Sequence, residues 1–399
     1  MRKALIVALG AFVAVCVALI VAAADHAPES TSSPLGPDGA WRAALIASGV
    51  ASFLGYVAAA VALRRSRAPL AAVLVIAVVI QLIPLFGPVL LSRDVYAYLA
   101  YGRIGAVHDG NPYADVPSDF PDDPAVQRMG TSWLETTTIY GPVWTLVAEG
   151  VSTTADSADS AAYGFRAIAA ASMLAIVGLA ALLARNRPFA AAFVGWNPLL
   201  ALHFAGGGHN DALMMALVLG ALVLSARGRA GPAGVTWVVA IAVKWVAAAF
   251  AGLVLLGSHF RDRRLLGGLI AGGVTVTATS FALFGPAWMQ AGTGLSSQAR
   301  RTGSIGLSGW LGDLGLSHRP TLVVIGALTL AAVAWLSWQA WHGRVRLGLA
   351  AVLLAALQGW LNPWYALWGV SLAAPEDDSA AHIGAVLLTG LLLRDALPL

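Results

Sequence analysis

Apolar residues occur in long runs with short polar breaks, recurring nearly end to end: 4–24, 41–63, 68–91, 160–184, 188–204, 210–226, 232–257, 263–284, 320–341, 347–374 and 380–396. An apolar stretch of about 20 residues crosses a bilayer as a helix, because a helix satisfies its backbone polar groups within the segment. Two runs contain a break: Lys244 sits inside 232–257, and Asn362-Pro363 interrupts 347–374. Each predicts either one long tilted helix or a hairpin of two short ones, for about 11 to 13 helices in all. The expected fold is all-α and polytopic, one transmembrane domain over residues 1–399. Met1-Arg2-Lys3 precede the first run, and Ala22-Ala23-Ala24 resembles a small-residue cleavage site. A cleaved signal peptide therefore competes with a retained first helix, and the length of the run favours the helix.

The polar segments are as informative as the apolar ones. Residues 25–40 form a Pro/Ser/Gly-rich loop, 92–159 a long external segment, and 286–318 a second external loop. Within the long segment, 93–107 and 141–151 are amphipathic and predict helices lying in the membrane interface. With the N-terminus inside and 232–257 as a hairpin, the basic residues Arg2, Lys3, Arg64, Arg65, Arg67, Arg185, Arg187, Arg227, Arg229, Arg261, Arg263, Arg264, Arg344 and Arg346 share the cytoplasmic side. They favour the hairpin only slightly over a single helix. The acids favour it more, because it puts the segment from Asp94 to Asp159, Asp211 and Asp313 on one outer face. The side of the C-terminus stays open.

Composition agrees with a lipid solvent: 58% of residues are hydrophobic and 11% charged, against about 25% charged in soluble domains. The net charge of +4 sits in short clusters between apolar runs, a pattern of membrane topology and not of nucleic-acid binding. The single cysteine, Cys16, excludes an intrachain disulfide and a cysteine-based metal site.

Candidate chemistry concentrates in the polar breaks. Asp94, Tyr98 and Tyr101 recur at helical spacing in SRDVYAYLAYGRIG and would share one face, with Arg103 on another. An ionisable residue at a membrane boundary is a functional candidate, although Asp94 also suits a helix N-cap. Gly110-Asn111-Pro112-Tyr113 reads as a turn, and Tyr140-Gly141-Pro142 as a sharp re-entry whose tyrosine suits an interface anchor. Three glycines precede His209, Asn210 and Asp211; their amides and the helix start beyond would offer donors to an anion. Lys244 in an apolar run either snorkels or aims its ammonium at a headgroup phosphate. Arg300 and Arg301 suit a phosphate clamp or attraction to lipid headgroups. Trp364 and Tyr365, among the aromatics of QGWLNPWYALWG, suit an interfacial belt or a sugar platform. His209 with Asp211 makes only a weak metal pair, so no metal or other cofactor is expected, with a divalent cation left open.

The ordered set DVYAY, GNPY, YGPVW, NPLL with GGGHND, Lys244 and NPWYALWG resembles the GT-C class of integral membrane glycosyltransferases, and within it the actinobacterial polyprenol-phosphate-mannose-dependent α-1,6-mannosyltransferases of lipomannan synthesis. The resemblance covers roughly residues 68–370. It implies a GT-C-like fold in the cell membrane and a site on the non-cytoplasmic face. It further implies inverting transfer of a sugar, mannose above all, from polyprenyl phosphate to a glycan or glycolipid. Asp94 would be the general base. Arg103, His209, Asn210, Lys244, Arg300 and Arg301 would serve the donor phosphate. Tyr98, Tyr101, Asn111, Tyr113, Tyr140, Asp211, Trp364 and Tyr365 would serve the sugars. A transporter or flippase of a lipid-linked saccharide is the alternative, though no paired halves recur in the sequence.

Overall fold

The computed structural model describes residues 2–65, 68–292, 296 and 300–399. Arg67 and part of the 296–306 stretch lie outside the described residues. Among the described residues the chain forms helices, turns and no strands. The helices are α1 (Arg2–Asp25), α2 (Gly39–Arg64), α3 (Leu70–Leu82), α4 (Asp94–Ala106), α5 (Pro142–Thr154), α6 (Ala158–Leu183), α7 (Arg187–Gly195), α8 (Pro198–Ala201), α9 (Asp211–Ala226), α10 (Ala230–Val243), α11 (Ala247–Gly257), α12 (Arg263–Phe284), α13 (Gly306–Asp313), α14 (His318–Trp341), α15 (Leu347–Ala356), α16 (Ala366–Ala373) and α17 (Ser379–Asp395). The expected all-α, polytopic architecture is observed. Five helices are long and apolar enough to span a bilayer, and six if the bent pair made by α7 and the segment Pro198–Gly206 is one span. Other expected spans are shorter apolar helices, among them α9, α10, α11 and α15.

Why the long helices form and pack is visible in α6. Ser157 and Ser160 close its N-terminus by reciprocal hydrogen bonds, satisfying amides that the helix leaves open. Its buried residues Ala162, Phe165, Ala169, Met173, Ile176 and Ala180 recur every three or four positions, so one stripe faces the core. Small residues set the closest approaches. A Cβ at Gly234 of α10 would meet the Leu269 amide nitrogen of α12 at 2.7 Å, so the two backbones touch where the glycines lie. Packing by small residues holds helices together where lipid supplies no hydrophobic drive.

The breaks have local causes. The Asn197-Pro198 junction bends its helix pair by 52°, since Pro198 lacks the amide that would continue the helix. Lys244 is extended, with φ −151° and ψ 123°, and separates α10 from α11. Asn362-Pro363 lies between α15 and α16, which fold back on each other with Gly348 against Ala373 and Gly369 against Val352. Both ambiguous runs are thus pairs of short helices, as the hairpin reading requires. Each pair places its tip at the same end of the bundle.

That end also gathers the long polar segments 92–159 and 286–318. Asn111 Nδ2 donates to the Phe284 carbonyl at 2.8 Å, and Arg301 packs over Trp133, so 92–159 and 286–318 meet there. Ser33 Oγ donates to the Asp395 carbonyl at 3.0 Å, which brings the end of α17 to this end as well. At the opposite end Arg64 contacts His382, Asn186 bonds the Leu63 carbonyl, and His259 packs on Trp341. The arginines of the short loops collect on that side.

One expectation fails in detail. The stretch 93–107 does not lie on a surface with its charges up. Residues 95–102 and Ile104 of α4 are all buried, because α4 is enclosed between α5 and α6. A Cβ at Gly102 would overlap the Ala148 carbonyl, so this glycine is required by the crossing of α4 and α5.

Candidate active site

A cavity of about 460 Å³ opens at the end where the two long polar segments meet. Its lining combines Asp94 at the start of α4, Tyr140 at the re-entrant turn, Lys244 and Trp245 at the first hairpin tip, and Trp360, Trp364 and Tyr365 at the second. Hairpin tips end in the cavity because Lys244 and Asn362-Pro363 break their helices at its depth. Asp94 is the first residue of its helix, and its side chain caps no amide there. Its carboxylate, 15% exposed, lies with Oδ2 3.5 Å from Nδ1 of His209. Asp94 thus caps no amide and lines the cavity.

Lys244 also lines the cavity. Its ammonium donates to Oδ2 of Asp211 at 2.6 Å and lies 5.5 Å from the centre of the Tyr365 ring. Asp211 is fully buried, and its Oδ1 accepts from Trp368 Nε1 at 2.7 Å. Tyr365 stacks on Trp368 at 4.2 Å, so one aromatic pair backs both the cation and its counter-ion. Lys244 has three donors, and only one is used by Asp211. The remainder lie at the cavity wall.

Behind this lining sits the glycine turn. His209 stacks on Trp364 at 3.8 Å, and His203 lies 5.8 Å from His209. His203, His209 and Asn210 are buried with side-chain polar atoms that meet no hydrogen-bond partner among the described residues. Buried polar atoms of this kind are ordinarily satisfied by water. The glycines are packing devices and not an open anion cradle: a Cβ at Gly206 would meet Leu90 at 2.7 Å, and one at Gly208, which has φ +73°, would meet Val95 at 2.5 Å. Arg166 of α6 fixes the turn from outside, donating from Nε to the Ala205 carbonyl at 2.9 Å. His209, Asn210 and Asp211 accordingly stand behind the cavity and do not line it.

Several expected residues are engaged elsewhere. Arg103 does not reach the cavity; its Nε donates to Asp123 Oδ2 at 2.7 Å, an oxygen that His108 Nε2 also meets at 2.7 Å. Asn111 clamps its turn onto α12. Tyr113 is buried, with its hydroxyl 2.9 Å from Thr145 Oγ1, and Tyr101 donates to the Thr136 carbonyl at 2.8 Å. Tyr98 packs edge-on against Tyr140, Trp144 and Phe165, one layer below the lining. Arg300 is exposed and away from the lining. Arg301 sits over the rings of Trp133 and Trp360 at 5.3 and 4.8 Å, at the cavity's aromatic rim. Trp133, Trp245, Trp360 and Gln358 line the cavity without having been singled out as site residues. For Trp360 the aromatic cluster was the available signal; for Trp133 there was none. Among the described residues no group of three His, Cys, Asp or Glu converges on a metal site.

The Asp123 cluster has a consequence for the loop. Burial pushes the Asp123 carboxyl up, but hydrogen bonds from His108, Arg103 and the Ala125 amide outweigh it and hold the group below the ordinary carboxylate range. The ionised form is favoured by the fold, so its contribution is complete above that range and disappears as pH falls through the lowered value. Protection factors of the amides in 108–129, taken relative to their intrinsic exchange rates, should therefore fall as pH drops through the lowered carboxyl value. In Asp123→Asn protection should be low already at neutral pH; wild-type protection factors that stay constant with pH contradict this role.

An all-α polytopic membrane protein with a carboxylate, a lysine and a ring of aromatics around one end-cavity is the class that fold and site define. The chain belongs to the family described as alpha-(1->6)-mannopyranosyltransferase, N-terminal domain, whose model matches residues 4–258. Alpha-(1->6)-mannopyranosyltransferase A of Mycobacterium tuberculosis is 30% identical over 77% of this chain and 66% of its own length. Alpha-(1->6)-mannopyranosyltransferase B of Corynebacterium glutamicum is 28% identical over 70% of this chain and 55% of its own. A second M. tuberculosis protein, alpha-(1->6)-mannopyranosyltransferase Rv1459c, is 27% identical over 76% of this chain and 66% of its own. The chain thus spans a little under two thirds of the first relative and about half of the second. No solved structure matches it.

Proposed function

We propose that this chain transfers mannose from polyprenyl phosphate to a hydroxyl of a mannose-containing glycan or glycolipid, with inversion, and that Asp94 is the general base. The family supports the sugar, and the printed names of the relatives support an α-(1→6) linkage. The observation that supports the mechanism is that Asp94 and Lys244 line the same cavity. The acceptor hydroxyl oxygen forms the new bond to the anomeric carbon while the bond to the phosphate oxygen breaks. The hydroxyl proton passes to the Asp94 carboxylate. The departing phosphate monoester is already a weak base and needs no general acid; it needs donors, and the free N–H groups of Lys244 supply them. Aromatic walls suit the apolar faces of sugar rings. The cavity lies opposite the arginine-rich end, and the positive-inside tendency supports a non-cytoplasmic face for it.

The purified protein, supplied with polyprenyl-phosphate mannose and a mannoside acceptor, should form a new α-mannosidic bond detectable by mass spectrometry and linkage analysis. Absence of transfer, or movement of the lipid-linked sugar across a proteoliposome without chemical change, would overturn the reading.

A further inference from the structure

Behind Asp94 lie six buried polar atoms that meet no partner among the described residues: Nδ1 and Nε2 of His203, Nδ1 and Nε2 of His209, and Oδ1 and Nδ2 of Asn210. None of the three residues is more than 1% exposed. Each unpaired atom costs stability, and an apolar residue of similar size would avoid that cost. The fold nevertheless holds this group against Asp94. Gly208, at φ +73°, lets the turn press on Val95, the residue after Asp94; a Cβ there would meet Val95 Cγ1 at 2.5 Å. The π-helical segment Leu202–Gly206 leads into the turn and carries His203. Such segments widen a helix by one residue and are frequent at functional sites. Trp364 stacks on His209 with ring centres 3.8 Å and planes 19° apart, which fixes the imidazole. Nδ1 of His209 thereby stands 3.5 Å from Oδ2 of Asp94.

We propose that His209 is a positioning residue that relieves Asp94 of the acceptor's proton and acts only through Asp94. The inference rests on the functional reading above, since it needs a proton arriving on that carboxylate. Asp94 lines the cavity and His209 does not, so His209 acts on Asp94 and not on the sugar. A neutral imidazole with its hydrogen on Nε2 presents a lone pair at Nδ1. Once the acceptor oxygen has bonded the anomeric carbon, the new O–H bond on Asp94 breaks and its proton bonds that lone pair. The carboxylate is restored, and the imidazolium shares one positive charge over both nitrogens. The 3.5 Å separation shortens when substrate fills the site, as catalytic hydrogen bonds commonly do. Removing the proton has a consequence for direction. A protonated Asp94 is the acid that would drive the reverse step, returning its proton to the new glycosidic oxygen beside the departing phosphate. His203 and Asn210, with ordered water, solvate the imidazolium. After the products leave, the proton returns through Asp94 to water entering the cavity.

The test uses the full chain, polyprenyl-phosphate mannose and a mannoside acceptor. His209→Gln keeps a polar side chain that takes no proton, and His209→Phe keeps a ring on Trp364 without its nitrogens. Both should lower kcat about tenfold or more, with KM for donor and acceptor nearly unchanged and thermal inactivation close to wild type. His209→Ala separates chemistry from packing. Imidazole in the buffer should restore its turnover, whereas triazole, of the same shape and much less basic, should not. Equal rescue by both marks space-filling beside Trp364, and rescue by neither denies proton transfer at this position; either overturns the proposal. Adding His209→Gln to Asp94→Asn should slow transfer no further, because no proton then reaches residue 94. A further tenfold loss in that background would give His209 an independent role and overturn its action through Asp94. No transfer by the wild type overturns the functional reading together with this inference. Wild-type transfer with undiminished turnover in the His209 variants overturns this inference alone.

Discussion

Asp94→Asn should lower kcat for mannosyl transfer by roughly 10²- to 10⁴-fold, the range removed with a general base, while KM for the donor changes little. The two side chains have the same shape, so the cavity and its aromatic walls stay in place. What is lost is the ability to take a proton as the acceptor oxygen attacks. Stability should hold, because Asp94 caps no amide and its carboxylate only approaches His209, at 3.5 Å, without a short hydrogen bond to it. Initial rates at saturating substrate, with thermal inactivation in the same detergent, check both halves. A variant keeping more than about a tenth of wild-type turnover removes Asp94 from the base role. Glu149 makes a useful control. It is another carboxylate touching α4, packed where a Cβ on Gly105 would be, and it is not among the cavity-lining residues. Glu149→Gln should leave transfer near normal.

How much of this was legible in the sequence depends on the kind of information required. Apolar periodicity is a local property, so the helical, polytopic fold and the breaks at Lys244 and Asn362-Pro363 could be read directly. The charges of the loops favoured a hairpin at Lys244, whereas the side reached by the 347–374 break stayed open because its flanking loops carry no deciding charge. The division of the polar residues between cavity and scaffold could not be read, because it depends on partners far along the chain. Arg103 looked available for phosphate, yet Asp123 lies 20 positions on and claims it. Asn111 looked like a turn residue and is one, but its side chain also ties the loop to Phe284, 173 positions away. The three glycines looked like an anion cradle because glycine amides are accessible when nothing covers them. Here Leu90, Val95 and Arg166 cover them. Arg166 itself was hidden inside a run whose hydropathy is dominated by its neighbours. Trp133 carried no signal, since a lone tryptophan in a polar loop acquires its role only when Trp360 and Arg301 arrive beside it.

Lys244 carries the second large effect, and its consequence differs from that of a simple surface cation. Lys244→Met should destabilise the protein by about 3–5 kcal/mol, because it strands a charge in the interior. Asp211 has no exposed surface, and without the ammonium only the Trp368 indole N–H remains to answer its carboxylate. Asp211→Asn alone should also destabilise, leaving the lysine without its counter-ion beneath Tyr365. The double variant Lys244→Met, Asp211→Asn removes both charges together and should recover most of the loss, giving a strong coupling in a double-mutant cycle. Folding and function then separate. If Lys244 serves only Asp211, the double variant will transfer mannose normally. If its unused N–H groups stabilise the departing phosphate, the double variant will be folded and still slow, with the deficit in kcat because the charge on that oxygen develops in the transition state. The second outcome is expected. The lysine is held at the cavity wall by a buried carboxylate and an aromatic face, which positions the ammonium before substrate arrives. A double variant that is both stable and fully active would leave Lys244 as a structural ion pair and remove the phosphate from its side of the cavity.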